Sequence, residues 1–193
     1  MNPKRIGIYG GSFNPIHVGH VKLAKALLRL ADLDAVWFVV SPLNPFKAQS
    51  SNLLDDDKRL EMVEETLKDE EGLEASDVEF HLARPSYMLH TLRYLSVTYP
   101  QYEFVLLIGA DNWVAFDRWY GYEEILNRYP VVVYPRRNSP MNIESLPACV
   151  KIVNTPLLDI SSTEIREKVK LGLSVRGLVP DQIYDKVIEY YKD

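Results

Sequence analysis

The chain has 193 residues, 47% hydrophobic and 25% charged, with a formal net charge of −5. Those fractions are those of an ordinary globular protein, which excludes disordered, collagen-like and membrane-embedded classes. The acidic balance argues against a protein that coats nucleic acid, while leaving room for a small anionic ligand in a local positive pocket.

Cys149 is the sole cysteine, so neither an intrachain disulfide nor a thiolate metal cluster can form. The run Lys4-Arg5-Ile6-Gly7-Ile8-Tyr9 leaves no N-terminal apolar stretch with the length of a signal peptide or a membrane span. A cytoplasmic location is therefore expected, with no membrane and no nucleic acid among the partners. A chain this long buries its apolar surface around one core without disulfides. One domain over residues 1–193 is expected, with helices from about residue 161 packing on it; the oligomeric state, a homo-oligomer included, is left open.

In chain order, Arg5–Tyr9 is short and apolar and stops at Gly10-Gly11, the pattern of a buried strand. Ala24, Leu27, Leu28 and Ala31 give Val18–Ala31 helical spacing. Ala35–Val40 is a continuous β-branched and aromatic run, which predicts a strand buried on both faces. Ser41–Leu54 reads as a loop. Asp55–Lys68 reads as a helix whose acidic first turn suits the macrodipole.

Val78–Phe80 is expected as a short strand and Ser86–Thr98 as a helix. Phe104–Ile108, Val131–Tyr134 and Val150–Val153 are expected as strands, and Pro135–Pro147 as a loop. Helices over Ser162–Leu171 and Gln182–Tyr191 close the chain. Alternating β and α elements define an α/β fold, doubly wound on a mostly parallel sheet, with ligands in the loops at the strand ends.

Two segments carry chemistry. Gly10-Gly11-Ser12-Phe13-Asn14-Pro15-Ile16-His17-Val18-Gly19-His20 joins the first strand to the first helix. Its glycines let the backbone approach a phosphate closely, and the helix start offers free N–H groups and a positive dipole end. His17 and His20, three apart, share a face there. The segment is neither a P-loop, lacking Gly-Lys-Ser/Thr, nor a dinucleotide fingerprint, lacking the third glycine.

In Ile160-Ser161-Ser162-Thr163-Glu164-Ile165-Arg166, Ser161 and Glu164 have capping-box spacing. A capping box does not account for the hydroxyls of Ser162 and Thr163 or for Arg166. Together these make a second phosphate-binding corner.

Both motifs together resemble the nucleotidyltransferases with the HxGH signature, and within them the bacterial nicotinate-mononucleotide adenylyltransferases. The resemblance extends over nearly the whole chain, through Asn44-Pro45-Phe46-Lys47, Ile108-Gly109-Ala110-Asp111 and Arg118-Trp119-Tyr120. It implies a Rossmann-like nucleotidyltransferase fold with a small C-terminal helical part. It also implies transfer of AMP from ATP to nicotinate mononucleotide, giving deamido-NAD and pyrophosphate.

By resemblance, His17, His20, Lys47 and Arg166 serve catalysis. Gly10, Gly11, Ser12, Phe13, Gly109, Asp111, Ser161, Ser162 and Thr163 line the ATP site. Lys47, Ser86, Tyr87, Met88 and Trp119 meet the acceptor, Trp119 by stacking on the pyridine ring. Mg²⁺ travels with the ATP phosphates and takes little protein ligation, so no protein metal site is expected.

One departure concerns the acceptor. Where the family usually reads Ser-Tyr-Thr-x-Asp-Thr, the chain has Ser86-Tyr87-Met88-Leu89-His90-Thr91. Adenylyl transfer to nicotinamide mononucleotide or phosphopantetheine therefore stays as an alternative. A catalytically silent nucleotide sensor is the alternative of another class; it would be expected to lose a histidine or Lys47, and the chain keeps them.

Overall fold

A computed structural model of the chain describes residues 2–42, 52–141 and 143–193. Six strands form one sheet: β1 Lys4–Gly11, β2 Ala35–Val40, β3 Leu73–Ser76, β4 Tyr102–Gly109, β5 Val131–Tyr134 and β6 Val150–Ile152. Their order is β3-β2-β1-β4-β5-β6 and every pairing is parallel. The helices are α1 Val18–Leu30, α2 Asp56–Leu67, α3 Met88–Thr98, α4 Ala110–Val114, α5 Tyr122–Arg128, α6 Ser162–Lys170 and α7 Tyr184–Tyr191.

The sheet is covered on both faces, as the doubly wound reading requires. Side chains alternate along a strand, so each central strand feeds two cores. Val36, Phe38 and Val40 of β2 and Val105 and Leu107 of β4 join one core, closed by α1, α2, α6 and α7. Ala35 and Val39 of β2 and Phe104, Leu106 and Ile108 of β4 join the other, closed by α3 and α5. Among the described residues no helix is long and apolar enough to cross a membrane.

The expected strand at Val78–Phe80 is not one. Val78–His81 forms a 3₁₀ turn, and the strand lies earlier, at Leu73–Ser76. The reason is physical: β3 is an edge strand in which only Leu73 is buried, so it lacks the apolar run that marks the central strands. The helix expected from Ser86 starts at Met88, because Tyr87 is an extended N-cap. The last helix divides into a 3₁₀ turn at Asp181–Ile183 followed by α7. Helices α4 and α5 have five and seven residues, too few to repeat an apolar face in sequence.

The C-terminal helices share the first core through Ile165, Val169, Ile183, Val187 and Tyr191. Tyr191 also donates its hydroxyl to Asn14 Oδ1 at 2.7 Å, a buried bond from the end of the chain to the turn after β1. Asn14 Oδ1 keeps a second donor, the Leu54 amide at 3.2 Å. Tyr191→Phe should therefore remove one buried bond without orphaning its partner, lowering stability by about 1 kcal/mol. Urea unfolding measures this, and an unchanged midpoint would show that the bond contributes nothing net.

Candidate active site

The strand order reverses between β1 and β4, so a crevice opens beyond their carboxyl ends, at Gly10-Gly11 and Gly109. Gly10 and Gly11 do not make the turn: both belong to β1, and the left-handed backbone falls on Phe13, at φ 45°. Their lack of a side chain serves close approach instead. A Cβ on Gly11 would meet the Phe13 ring at 3.0 Å, and one on Gly10 would meet Met88 Cε at 2.9 Å. The Phe13 ring packs in the core against Tyr9 and Phe38. Phe13, assigned to the ATP site, places its ring in that core, where its edge also meets the His20 ring with centroids 5.1 Å apart.

The turn that follows is held from outside. Arg59 Nη1 donates to Ser12 O at 2.5 Å, Arg166 Nη1 to Asn14 O at 2.8 Å, and Ser162 Oγ to Pro15 O at 2.8 Å. Both signature motifs are therefore one physical unit. Ser161 caps α6 through Glu164 N at 3.1 Å, and Arg166 Nη2 also donates to Thr163 Oγ1 at 3.2 Å.

The reciprocal capping box sits on α1 and is built from the histidines. His17 is the N-cap; its Nδ1 accepts from Gly19 N at 3.1 Å, while His20 Nδ1 accepts from His17 N at 3.1 Å. The rings stack with centroids 3.7 Å apart and planes 26° apart. Because both Nδ1 atoms accept, each neutral ring carries its proton on Nε2. His17 is 5% exposed. Burial, reinforced by the nearby Arg136 guanidinium, lowers its pKa to about 4, so at neutral pH it is an uncharged N–H donor.

Across the crevice Asp111 opens α4 beside Gly109 and faces Arg136, with Nε–Oδ1 at 3.6 Å. Arg136 also lies 5.6 Å from the Tyr134 ring centroid, and Arg137 pairs with Asp159. Among the described residues no three His, Cys, Asp or Glu side chains gather as a metal site.

Among the residues expected to meet the acceptor, Met88 begins α3 and reaches toward Gly10. Tyr87, His90 and Tyr120 form a ring cluster with centroids 5.1 to 5.7 Å apart. Trp119 is half-buried, its ring 5.1 Å from Phe116. Ser86 is buried, with a hydroxyl that has no hydrogen-bond partner among the described residues. Lys47, with Asn44, Pro45 and Phe46, lies outside the described residues.

Sequence reasoning missed two buried charges at this site, Arg59 and Glu79. Arg59 sits in a helix read only for its acidic first turn, and Glu79 in a segment read as a strand. Single charged residues in such settings carry no periodic signal.

Residues 8–168 match the cytidylyltransferase-like family model, which makes the chain a member of that nucleotidyltransferase class. A Bacteroides thetaiotaomicron protein described as a probable nicotinate-nucleotide adenylyltransferase is 44% identical over 99% of this chain and 94% of its own. A Cytophaga hutchinsonii protein of the same description is also 44% identical, over 98% and 99%. The chain belongs to the nicotinate-nucleotide adenylyltransferase family. The fold is shared with Plasmodium falciparum nicotinic acid mononucleotide adenylyltransferase complexed with NaAD, at TM-score 0.78, 20% identity and 97% and 96% coverage.

The depressed pKa of His17 ties stability to pH. The unfolded chain takes up this proton near the ordinary 6.5 and the folded protein only near 4. The contribution is therefore fully present above pH 6.5 and lost as pH falls, completely below about 4. Its size is of the order of 3 kcal/mol. His17→Asn keeps an N-cap acceptor but no titrating ring. Urea unfolding at pH 7 and pH 4.5 should show a smaller loss in the variant than in the parent, and equal losses would remove His17 from the account.

Proposed function

We propose that this protein transfers the adenylyl group of ATP to nicotinate mononucleotide, forming deamido-NAD and pyrophosphate, in the cytoplasm and as one domain. The observation that carries this reading is the stacked His17–His20 pair at the start of α1, tied through Asn14 and Pro15 to the Arg166 and Ser162 corner of α6. Neutral Nε2–H donors, a guanidinium and two helix starts converge on one crevice at the strand reversal. Such an arrangement suits a polyphosphate. Relatives 41–44% identical to this chain carry the name of this activity, which supports the choice of acceptor.

In the reaction a phosphate oxygen of the mononucleotide attacks the α-phosphorus of ATP. The bond from that phosphorus to the α,β-bridging oxygen breaks, and pyrophosphate leaves. A phosphate monoester has its second pKa near ~6, so the nucleophile is already ionised at neutral pH and no general base is required. Catalysis reduces to in-line placement and stabilisation of charge on the phosphoryl oxygens.

We assign that stabilisation to His17, His20, Lys47 and Arg166. Gly10, Gly11, Ser12, Gly109, Asp111 and the Ser161–Thr163 hydroxyls border the ATP. Trp119, Tyr87 and Met88 border the acceptor. Mg²⁺ bound to the ATP phosphates supplies further charge neutralisation. The donor set would fit an ion held mainly by phosphate and water, since Asp111 beside Gly109 faces Arg136 and no group of three His, Cys, Asp or Glu side chains gathers among the described residues.

His20→Ala should lower kcat by about 10²-fold or more with little change in ATP affinity, the signature of a lost transition-state donor. Pyrophosphate release under saturating substrates measures it, and a fall in ATP affinity with kcat intact would refute the catalytic role.

Acceptor choice gives a second test. A free carboxylate can be held by backbone N–H groups at a loop or helix start, which require no particular side chain. Replacing the family's usual threonine by Met88 then costs on the order of one hydrogen bond, ~1 kcal/mol, or less than tenfold in affinity. kcat/KM should remain higher for nicotinate mononucleotide than for the nicotinamide form. Equal values, or a preference for the amide, would show that the absent hydroxyl set the specificity.

A further inference from the structure

Two charged side chains that the reaction does not use are buried on either side of Ser41, the residue that follows β2. Arg59 is 0% exposed and Glu79 3% exposed. Arg59 donates through Nη1 to Ser41 O at 2.9 Å and to Ser12 O at 2.5 Å, through Nε to Leu54 O at 2.8 Å, and through Nη2 to Asp56 Oδ1 at 2.6 Å. Its guanidinium thus joins the end of β2 to the phosphate-side turn.

Glu79 comes from the 3₁₀ turn packed on β2. It accepts from Thr91 Oγ1 at 2.8 Å, in the first turns of the acceptor helix α3. The Ser41 and Ser86 hydroxyls lie beside its carboxylate and act on it, although burial outweighs them and raises its pKa. Oε2 and the Ser86 hydroxyl nonetheless stand without hydrogen-bonding geometry to any described residue. A buried carboxylate oxygen left this way is costly.

We propose that Arg59, Ser41 and Glu79 form a buried tie that sets the spacing between the ATP-side turn and the acceptor loop, with Glu79 as a positioning residue for adenylyl transfer. Hydrogen bonds carry the tie from Ser12 through Arg59 to the Ser41 carbonyl and from Glu79 to Thr91, and the Ser41 and Ser86 hydroxyls, which lie beside the Glu79 carboxylate, join the two halves by proximity. Each substrate is held by its own loop, so each loop's contacts set its own affinity. In-line attack depends in addition on the distance between the loops, where a shift of about 1 Å costs on the order of 10²-fold in rate. A loosened tie therefore lowers kcat and spares both KM values.

This inference rests on the adenylyl-transfer reading, and one assay separates the two. Pyrophosphate release is measured for the parent protein and for Glu79→Gln, Ser41→Ala and the double variant, varying ATP and nicotinate mononucleotide in turn. No turnover by the parent overturns the activity itself.

With the parent active, Glu79→Gln replaces an acceptor by a donor at Oε2 and should lower kcat by about 10- to 100-fold, with both KM values within about threefold. Ser41→Ala should lower kcat less. The double variant should be no slower than Glu79→Gln, because both substitutions cut the same tie. Independent structural damage would instead multiply the two effects, and that result overturns the proposal. So does a Glu79→Gln protein with parental kcat, or one whose defect lies in a single KM. Should Glu79→Gln fail to fold, Ser41→Ala, Thr91→Val and their combination carry the same test, with non-multiplying losses of kcat expected and multiplying or absent losses overturning it.

Discussion

The backbone between β1 and α1 presents three successive needs. The carbonyls of Ser12, Asn14 and Pro15 leave strand geometry before helix geometry begins, so neither the sheet nor α1 supplies their donors. Buried carbonyls must be paired. The donors come from Arg59 in α2 and from Arg166 and Ser162 in α6, the last two about 150 residues away in the chain. Asn14 adds a side-chain node that takes the Leu54 amide and the Tyr191 hydroxyl and donates to Asn52 O. Satisfying one turn therefore draws the second motif, the C-terminal helix and the chain beyond residue 51 to the same edge of the sheet.

The histidines extend the same logic to the other side of the turn. A helix start leaves amides unpaired. Here two imidazoles pair with them through Nδ1, which fixes the tautomer and the orientation of both rings at once. The bonds that cap α1 thus hold in advance the rings that we assign to the phosphates, so that they need no reorganisation when charge develops. Burial keeps His17 neutral, which spares the crevice the desolvation of another full charge beside Arg136. In a chain of net charge −5, the anion site that we propose is thereby made of local dipoles and a few placed cations, independent of the overall sign.

Close approach explains several small residues. Gly10 admits Met88, Gly11 admits the Phe13 ring and Gly19 admits the His17 ring, whose atoms would lie 2.9 Å from an added Cβ. The glycines near the crevice act less by freeing the backbone than by making room for rings two residues away and, at Gly10, for a side chain from α3. Met88 links the start of α3 directly to the end of β1 in this way.

The sequence by itself determined the central strands, the long helices and both motifs, because each writes its role in a repeated local pattern. The β2 run is apolar throughout because both of its faces are covered, and the α1 spacing follows one buried stripe. The strand Leu73–Ser76 stayed hidden because an edge strand with one buried side chain shows no alternation. Helices α4 and α5 stayed hidden because they are shorter than two full turns. Only the tertiary structure decided that the capping box belongs to His17 and His20, that the Phe13 ring turns into the core, and that Arg59 and Glu79 are buried around Ser41. Those assignments depend on which donors meet which carbonyls across the sheet, and partners far apart in the chain leave no periodic trace in either segment alone.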